Sequence, residues 1–204
     1  MHTSTHFRCL VNALIKMKTS SELKAIAKES LKGNYGKAIG AWFLFSLMSM
    51  VPFCSPAMQV GYFKFNSKLV RKEDTAAGEI FEGFNLFGKA LWLTIITSFF
   101  IYLWSLLFII PGLIKVFSYS MAPYILADNP QMNAREALQS SIKLMEGKKG
   151  RLFYIGLSFI GWSLLGAITV GIAYIWILPY MQATTAAFYN EAISVYNNQE
   201  FVAN

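Results

Sequence analysis

Residues 88–130, GKALWLTIITSFFIYLWSLLFIIPGLIKVFSYSMAPYILADNP, hold the reading that decides the fold. From Ala90 to Ile110 the run carries no charged residue and is almost wholly aliphatic or aromatic. A helix needs roughly 20 such residues to cross the ~30 Å hydrocarbon core of a bilayer. Pro111-Gly112 then interrupts the run, because proline lacks the amide that a helix interior requires and glycine favours turns. A second apolar run, Leu113–Ala127, follows and ends in Asp128-Asn129-Pro130. Gly88-Lys89 stands in front. The pattern predicts an outbound helix, a tight turn and a return helix.

The same pattern occurs on either side. Ala38–Cys54 is followed by Pro56–Val70, and Leu152–Thr169 breaks at Gly171 and resumes from Ile172 to about Ala192. The returns after Pro56 and Gly112 have only about 15 residues, so they stop short, tilt, or thin the bilayer. A rival arrangement fuses the short returns with their partners and gives four spans. Charge separates the two. Lys and Arg fall in three blocks: Arg8 to Lys37, Lys64 to Lys89, and Arg135 to Arg151. With every return present, all three blocks share one face, as the positive-inside tendency requires. Fusing the first pair sends the second block to the far side. Only Lys115 is left near the outer face. The predicted fold is therefore an all-α membrane protein of about six membrane helices in three hairpins, with both termini cytoplasmic.

Composition agrees. The chain has 204 residues, 55% hydrophobic and 14% charged, against about 25% charged in a soluble domain. Its formal net charge of +7 sits between apolar runs rather than on one basic domain, which points away from nucleic acid. Cys9 and Cys54 are isolated, and His2 and His6 lie at the start; neither pair has metal-ligand spacing. No cleavable signal peptide is evident. Residues 1–16 read as a disordered extension from a misplaced start, 17–192 as one polytopic membrane domain, and 193–204 as a cytoplasmic tail.

Each outbound run is preceded by a Gly-basic pair: Gly36-Lys37, Gly88-Lys89 and Gly150-Arg151. Either the chain is a weak threefold repeat, or such pairs mark any cytoplasmic membrane boundary. Amphipathic stretches precede the pairs. Thr19-Ser20-Ser21-Glu22 fits a capping box, and Asn133-Ala134-Arg135-Glu136 resembles a second. The middle stretch, Glu79 to Phe87, is shorter and aromatic. These stretches either pack on the cytoplasmic ends of the bundle or dock on anionic lipid, with Lys24, Lys28, Lys32, Lys148, Lys149 and Arg151 as membrane-surface cations.

No HExxH, GxSxG, Walker A or paired-cysteine motif occurs, so catalytic residues, metal and cofactor are all expected to be absent. One segment gathers polar groups inside an apolar run: Lys115, Ser118, Tyr119, Ser120, Tyr124 and Asp128. An ionisable group at membrane depth is a functional candidate. The competing reading is that Lys115 snorkels to the outer interface while the serines satisfy carbonyls freed by Pro123. Tyr180 and Gln182, with Thr184, Thr185, Tyr189 and Asn190, put further polar groups on the last segment. They serve as interhelical glue or line a cavity with the first set.

Several motifs carry a resemblance. They are Ser21-Glu22-Leu23-Lys24, Lys28-Glu29-Ser30-Leu31-Lys32-Gly33-Asn34-Tyr35, Ile110-Pro111-Gly112, Ser118-Tyr119-Ser120-Met121-Ala122-Pro123-Tyr124, Ala127-Asp128-Asn129-Pro130 and Gly150-Arg151-Leu152-Phe153. Together they resemble domain of unknown function nine-seven-five, an integral membrane family found mainly in Gram-positive bacteria. The resemblance covers about Met17 to Tyr189. It implies a multi-pass bacterial plasma-membrane protein and carries no activity or site residue. Ala127–Phe153 is more loosely similar to the membrane region attached to some glycerophosphodiesterases. The expectation is a non-enzymatic protein working through membrane lipids, another membrane protein or a second copy of itself. The alternative is a transporter or channel component with a polar site around Lys115–Asp128.

Overall fold

The computed structural model describes residues 18–51, 54–107, 109–169 and 171–203. The extension expected over 1–16 lies outside them. The described residues form ten α-helices and one 3-10 helix and contain no strand. The first hairpin comprises α1 (Ser20–Leu31), α2 (Tyr35–Met48) and α3 (Ser55–Val70). Next come the 3-10 helix Ala77–Leu86, α4 (Phe87–Leu107), α5 (Ile109–Tyr119) and α6 (Ala122–Asp128). The last group is α7 (Ala134–Leu144), α8 (Lys149–Ser158), α9 (Ile160–Ile168) and α10 (Tyr174–Ala203).

The breaks differ from the expected ones in instructive ways. α4 is described to Leu107 and α5 from Ile109, which puts Pro111 near the start of α5 rather than between two helices. Gly112 serves packing instead: a Cβ there would lie 2.5 Å from Ser105 Oγ, so α4 and α5 close on each other at this point. The expected return Leu113–Ala127 is two helices. Pro123 sits in the first turn of α6 rather than inside a longer helix. The outbound run from Leu152 is also split, at Phe159, where the Ser158 hydroxyl donates to the Ile155 carbonyl at 2.7 Å. The tail expected from 193 continues α10 to Ala203, with Val195 buried against the core.

The surface stretches share a device that only half shows in the sequence. The Glu22 carboxylate accepts from the Thr19 amide, Glu79 from Ala76 at 2.9 Å, and Glu136 from Asn133 at 2.8 Å. These three glutamates are equally spaced along the chain. The residue after each, Leu23, Ile80 and Ala137, is fully buried. Each unit thus starts with a carboxylate folded back on its own first turn and an apolar anchor directly behind it.

The middle unit is seated most tightly. A Cβ on Gly61 of α3 would lie 1.9 Å from the Ile80 carbonyl oxygen, and one on Gly83 would lie 1.9 Å from that of Ala57. The two backbones interlock through paired glycines, and no side chain could yield to relieve either contact. Lys64–Glu82 and Lys68–Glu79, both at 2.7 Å, bracket the interlock.

α3 is the hub, packed on α2, the 3-10 helix, α6 and α10. Ion pairs tie the basic blocks together at one end of the bundle: Lys72–Glu29 at 2.7 Å, Lys37–Asp74 at 3.3 Å and Arg151–Glu191 at 3.0 Å. Lys89 also donates to the Pro130 carbonyl at 2.6 Å. Away from that end, large apolar side chains face outward, including Met50, Phe99, Leu106, Leu164 and Ile168. Among the described residues one helical stretch, Ala77–Leu106, which joins the 3-10 helix to α4, is long and apolar enough to cross a membrane. Only 11% of its apolar window is buried, which is the reverse of a soluble core helix.

Candidate polar site where three helices meet

α6 is short, but it places Tyr124 and Asp128 one turn apart on one face. α3 repeats that spacing twice, with Tyr62 and Asn66 and with Ser67 and Arg71. α10 brings Tyr189 and Asn190. These side chains meet. The Arg71 guanidinium donates to Asp128 Oδ2 at 2.5 Å, and the Tyr189 hydroxyl donates to the same oxygen at 3.0 Å. Arg71 Nε donates to Asn190 Oδ1 at 3.1 Å, and the Ser67 hydroxyl donates to it at 2.7 Å. Asn190 Nδ2 returns a bond to the Ser67 carbonyl at 3.1 Å.

Aromatic rings wall this knot. Tyr124 is stacked between Phe63 at 4.3 Å and Tyr189 at 5.0 Å, and Tyr62 stacks on Phe45 at 4.9 Å. Tyr62, Asn66 and Tyr124 are all about 1% exposed. Their polar atoms Tyr62 Oη, Asn66 Oδ1 and Tyr124 Oη have no hydrogen-bond partner among the described residues. Chemically the knot is a clamp. Arg71 holds the Asp128 charge, and Tyr189 Oη is committed to the same carboxylate.

The residues singled out in the sequence divide among several places. Tyr124 and Asp128 enter the knot. Lys115 lies over the Trp104 ring at 5.0 Å and near Tyr119 at 5.9 Å. The Ser118 hydroxyl donates to the Ile114 carbonyl and that of Ser120 to Phe117, both at 2.8 Å. The Ser118 carbonyl takes a bond from Ser141 at 2.7 Å, which docks α7. The Tyr180 hydroxyl reaches the Lys24 carbonyl at 3.4 Å, and Gln182 is half-buried on α10. The sequence reading missed Arg71, Ser67 and Tyr62. The signal was the doubled one-turn spacing of polar groups along α3, inside a segment read only for apolar length and charge.

The surface cations divide too. The Lys24 ammonium sits 4.4 Å from the Phe159 centroid, and burial pulls its pKa below the ordinary lysine range. Arg151 pairs with Glu191 and lies 5.9 Å from the Phe188 ring. Burial, then the Arg151 charge, lowers Lys148. Lys28, Lys32 and Lys149 make no salt bridge among the described residues. Among those residues no group of three or more His, Cys, Asp or Glu side chains is placed to hold a metal ion.

No curated protein and no solved structure matches the chain. A family model does match, and it takes in Tyr124, Asp128, Tyr189 and Asn190 while leaving out Arg71 and Ser67. Residues 107–195 match the model of the family described as Protein of unknown function (DUF975).

Proposed function

We propose that this is a multi-pass protein of the bacterial plasma membrane, non-enzymatic, with both termini cytoplasmic, acting through lipids and through a further membrane protein or a second copy of itself. One observation carries this reading. The ion pairs gather at one end of the bundle, and a belt of exposed Phe, Trp, Leu and Ile side chains covers the rest. In water that belt would far exceed the few hundred Å² of exposed apolar patch found on soluble monomers. In lipid it is solvated, and the cationic end meets anionic headgroups. The short helices α2 and α5 then sit in a locally thinned or tilted arrangement.

A transport reading draws support from the broken helix between α5 and α6 and from the buried Tyr124 hydroxyl, which has no hydrogen-bond partner among the described residues. It is weakened by the dispersal of its polar groups, since Lys115 has aromatic neighbours and Asp128 is held by Arg71. Reconstitution separates the two. Sealed vesicles containing the purified chain are expected to retain their solutes, and native-membrane preparations to carry enriched lipid or a membrane-protein partner. Solute flux abolished by Lys115→Ala or Asp128→Asn would overturn the lipid reading in favour of transport.

A further inference from the structure

Outside the knot, α4 and α7 enclose a groove of about 620 Å³, within the ~300–1,000 Å³ range of small-molecule sites. Trp92, Ile96 and Phe99 come from α4, Leu138 and Ile142 from α7, and Tyr119 of α5 also lines it. The α4 residues recur at helical spacing, so the apolar wall runs along that helix from its charged end inward. At the charged end the lining turns polar, with Arg135 and Gln139. A second hollow of about 490 Å³ shares Trp92 and Arg135 with the groove and adds Lys89 and Glu136.

The cations there are unequally used. Arg135 makes no salt bridge among the described residues. Lys89 spends one of its three donors on the Pro130 carbonyl. The nearby acid, Glu136, has its carboxylate on the Asn133 amide. Two cations against the one Glu136 carboxylate leave that end with a net positive charge, and the other end is a long apolar trough on the helix most suited to cross a membrane.

We propose that this groove is a binding site for an anionic glycerophospholipid of the cytoplasmic leaflet. One acyl chain lies along Trp92, Ile96 and Phe99, and the phosphate is held by Arg135 and Lys89. The assignment rests on the membrane reading above and names its ligand. Charge complementarity selects the occupant: a guanidinium fork matches a phosphodiester, while the trough accepts a tail with no polar atoms.

The test uses the purified full chain, reconstituted in phosphatidylcholine vesicles doped with phosphatidylglycerol. After mild detergent extraction, the lipid kept by the protein is quantified by mass spectrometry. The wild type is expected to keep phosphatidylglycerol in preference to phosphatidylcholine. R135Q should weaken that retention by about tenfold, the loss of a charged hydrogen-bond partner. I96W, which fills the trough with the cations intact, should also lower it. Lys143→Gln, an exposed cation of α7 that does not line the groove, should leave it unchanged. Equal retention of the two lipids, or R135Q and I96W indistinguishable from wild type, overturns the site. So does Lys143→Gln matching R135Q, because the preference would then belong to the basic surface in general. Flotation keeps the two levels apart. If the protein floats with the vesicles and the preference is missing, the groove assignment falls alone. If it does not float, the membrane reading falls with it.

Discussion

Two cationic places lie on the same bundle and are built in opposite ways. Where α3, α6 and α10 meet, Arg71 is consumed by Asp128 and Asn190, and the backbone behind it is locked by Gly61 and Gly83. Along α4 and α7, Arg135 makes no salt bridge among the described residues, and Trp92, Ile95 and Phe99 beside it face outward. The first arrangement spends its charge on holding helices together. The second leaves its charge and its apolar surface for something outside the chain. One sequence thus uses the same residue types for architecture and for contact, and only their partners tell the uses apart.

The comparison breaks most sharply at the glycines. Gly61→Ala forces a Cβ onto the Ile80 carbonyl oxygen, 1.9 Å away. Neither backbone can yield, so a loss of about 3 kcal/mol is expected, read as loss of folded protein after detergent extraction. Asp128→Ala comes next. It strands Arg71 in a partly buried setting, where the side chains are 34% and 19% exposed. The full cost of a buried orphan charge is about 3–5 kcal/mol, and partial solvation cuts this to about 1–2 kcal/mol. Pairing it with Arg71→Met should recover part of the melting temperature.

A smaller effect separates two tyrosines in one stack. Tyr189→Phe removes a hydroxyl that donates to Asp128 and should cost about 1 kcal/mol. Tyr124→Phe removes a buried hydroxyl with no partner among the described residues and should be neutral or stabilising. If Tyr124→Phe proved the costlier change, the hydroxyl would have a ligand.

The smallest effect belongs to the exposed pairs. Hydrogen bonding to Lys72, then its charge, holds the Glu29 carboxyl below its ordinary value of 4.5. A carboxyl lowered on folding stabilises the protein above its unfolded pKa, and that contribution is lost as pH falls through the folded value. Glu29→Gln should therefore lower the melting temperature slightly at neutral pH, with the difference from wild type fading as pH falls through the lowered carboxyl pKa.

The all-helical class could be read from the sequence because apolar length and the placing of proline are local signals. The capping glutamates at 22 and 136 were legible for the same reason. Glu79 was not, because its cap position holds Ala76, which has no side-chain acceptor; only the equal spacing of the three could have revealed it. The 3-10 geometry of the middle stretch and the role of Gly83 depend on a neighbour far along the chain, which no periodicity reports. The site followed the same rule. Tyr124 and Asp128 were visible as polar groups in an apolar run. Arg71, at the end of a charge block, looked like any cytoplasmic cation until α6 and α10 closed over it. Ser118 and Ser120 drew notice for their polarity, which their own helix absorbs.

The central claim is that the chain crosses the bilayer out and back, with its charged end inside. It is tested by single cysteines in a background lacking Cys9 and Cys54. Met50→Cys marks the α2–α3 turn, and Ser194→Cys marks the far part of α10, both exposed positions. A membrane-impermeant maleimide applied to intact cells should label position 50 and reach position 194 only after lysis. Labelling of both positions only after lysis, or of position 194 in intact cells, would contradict the account.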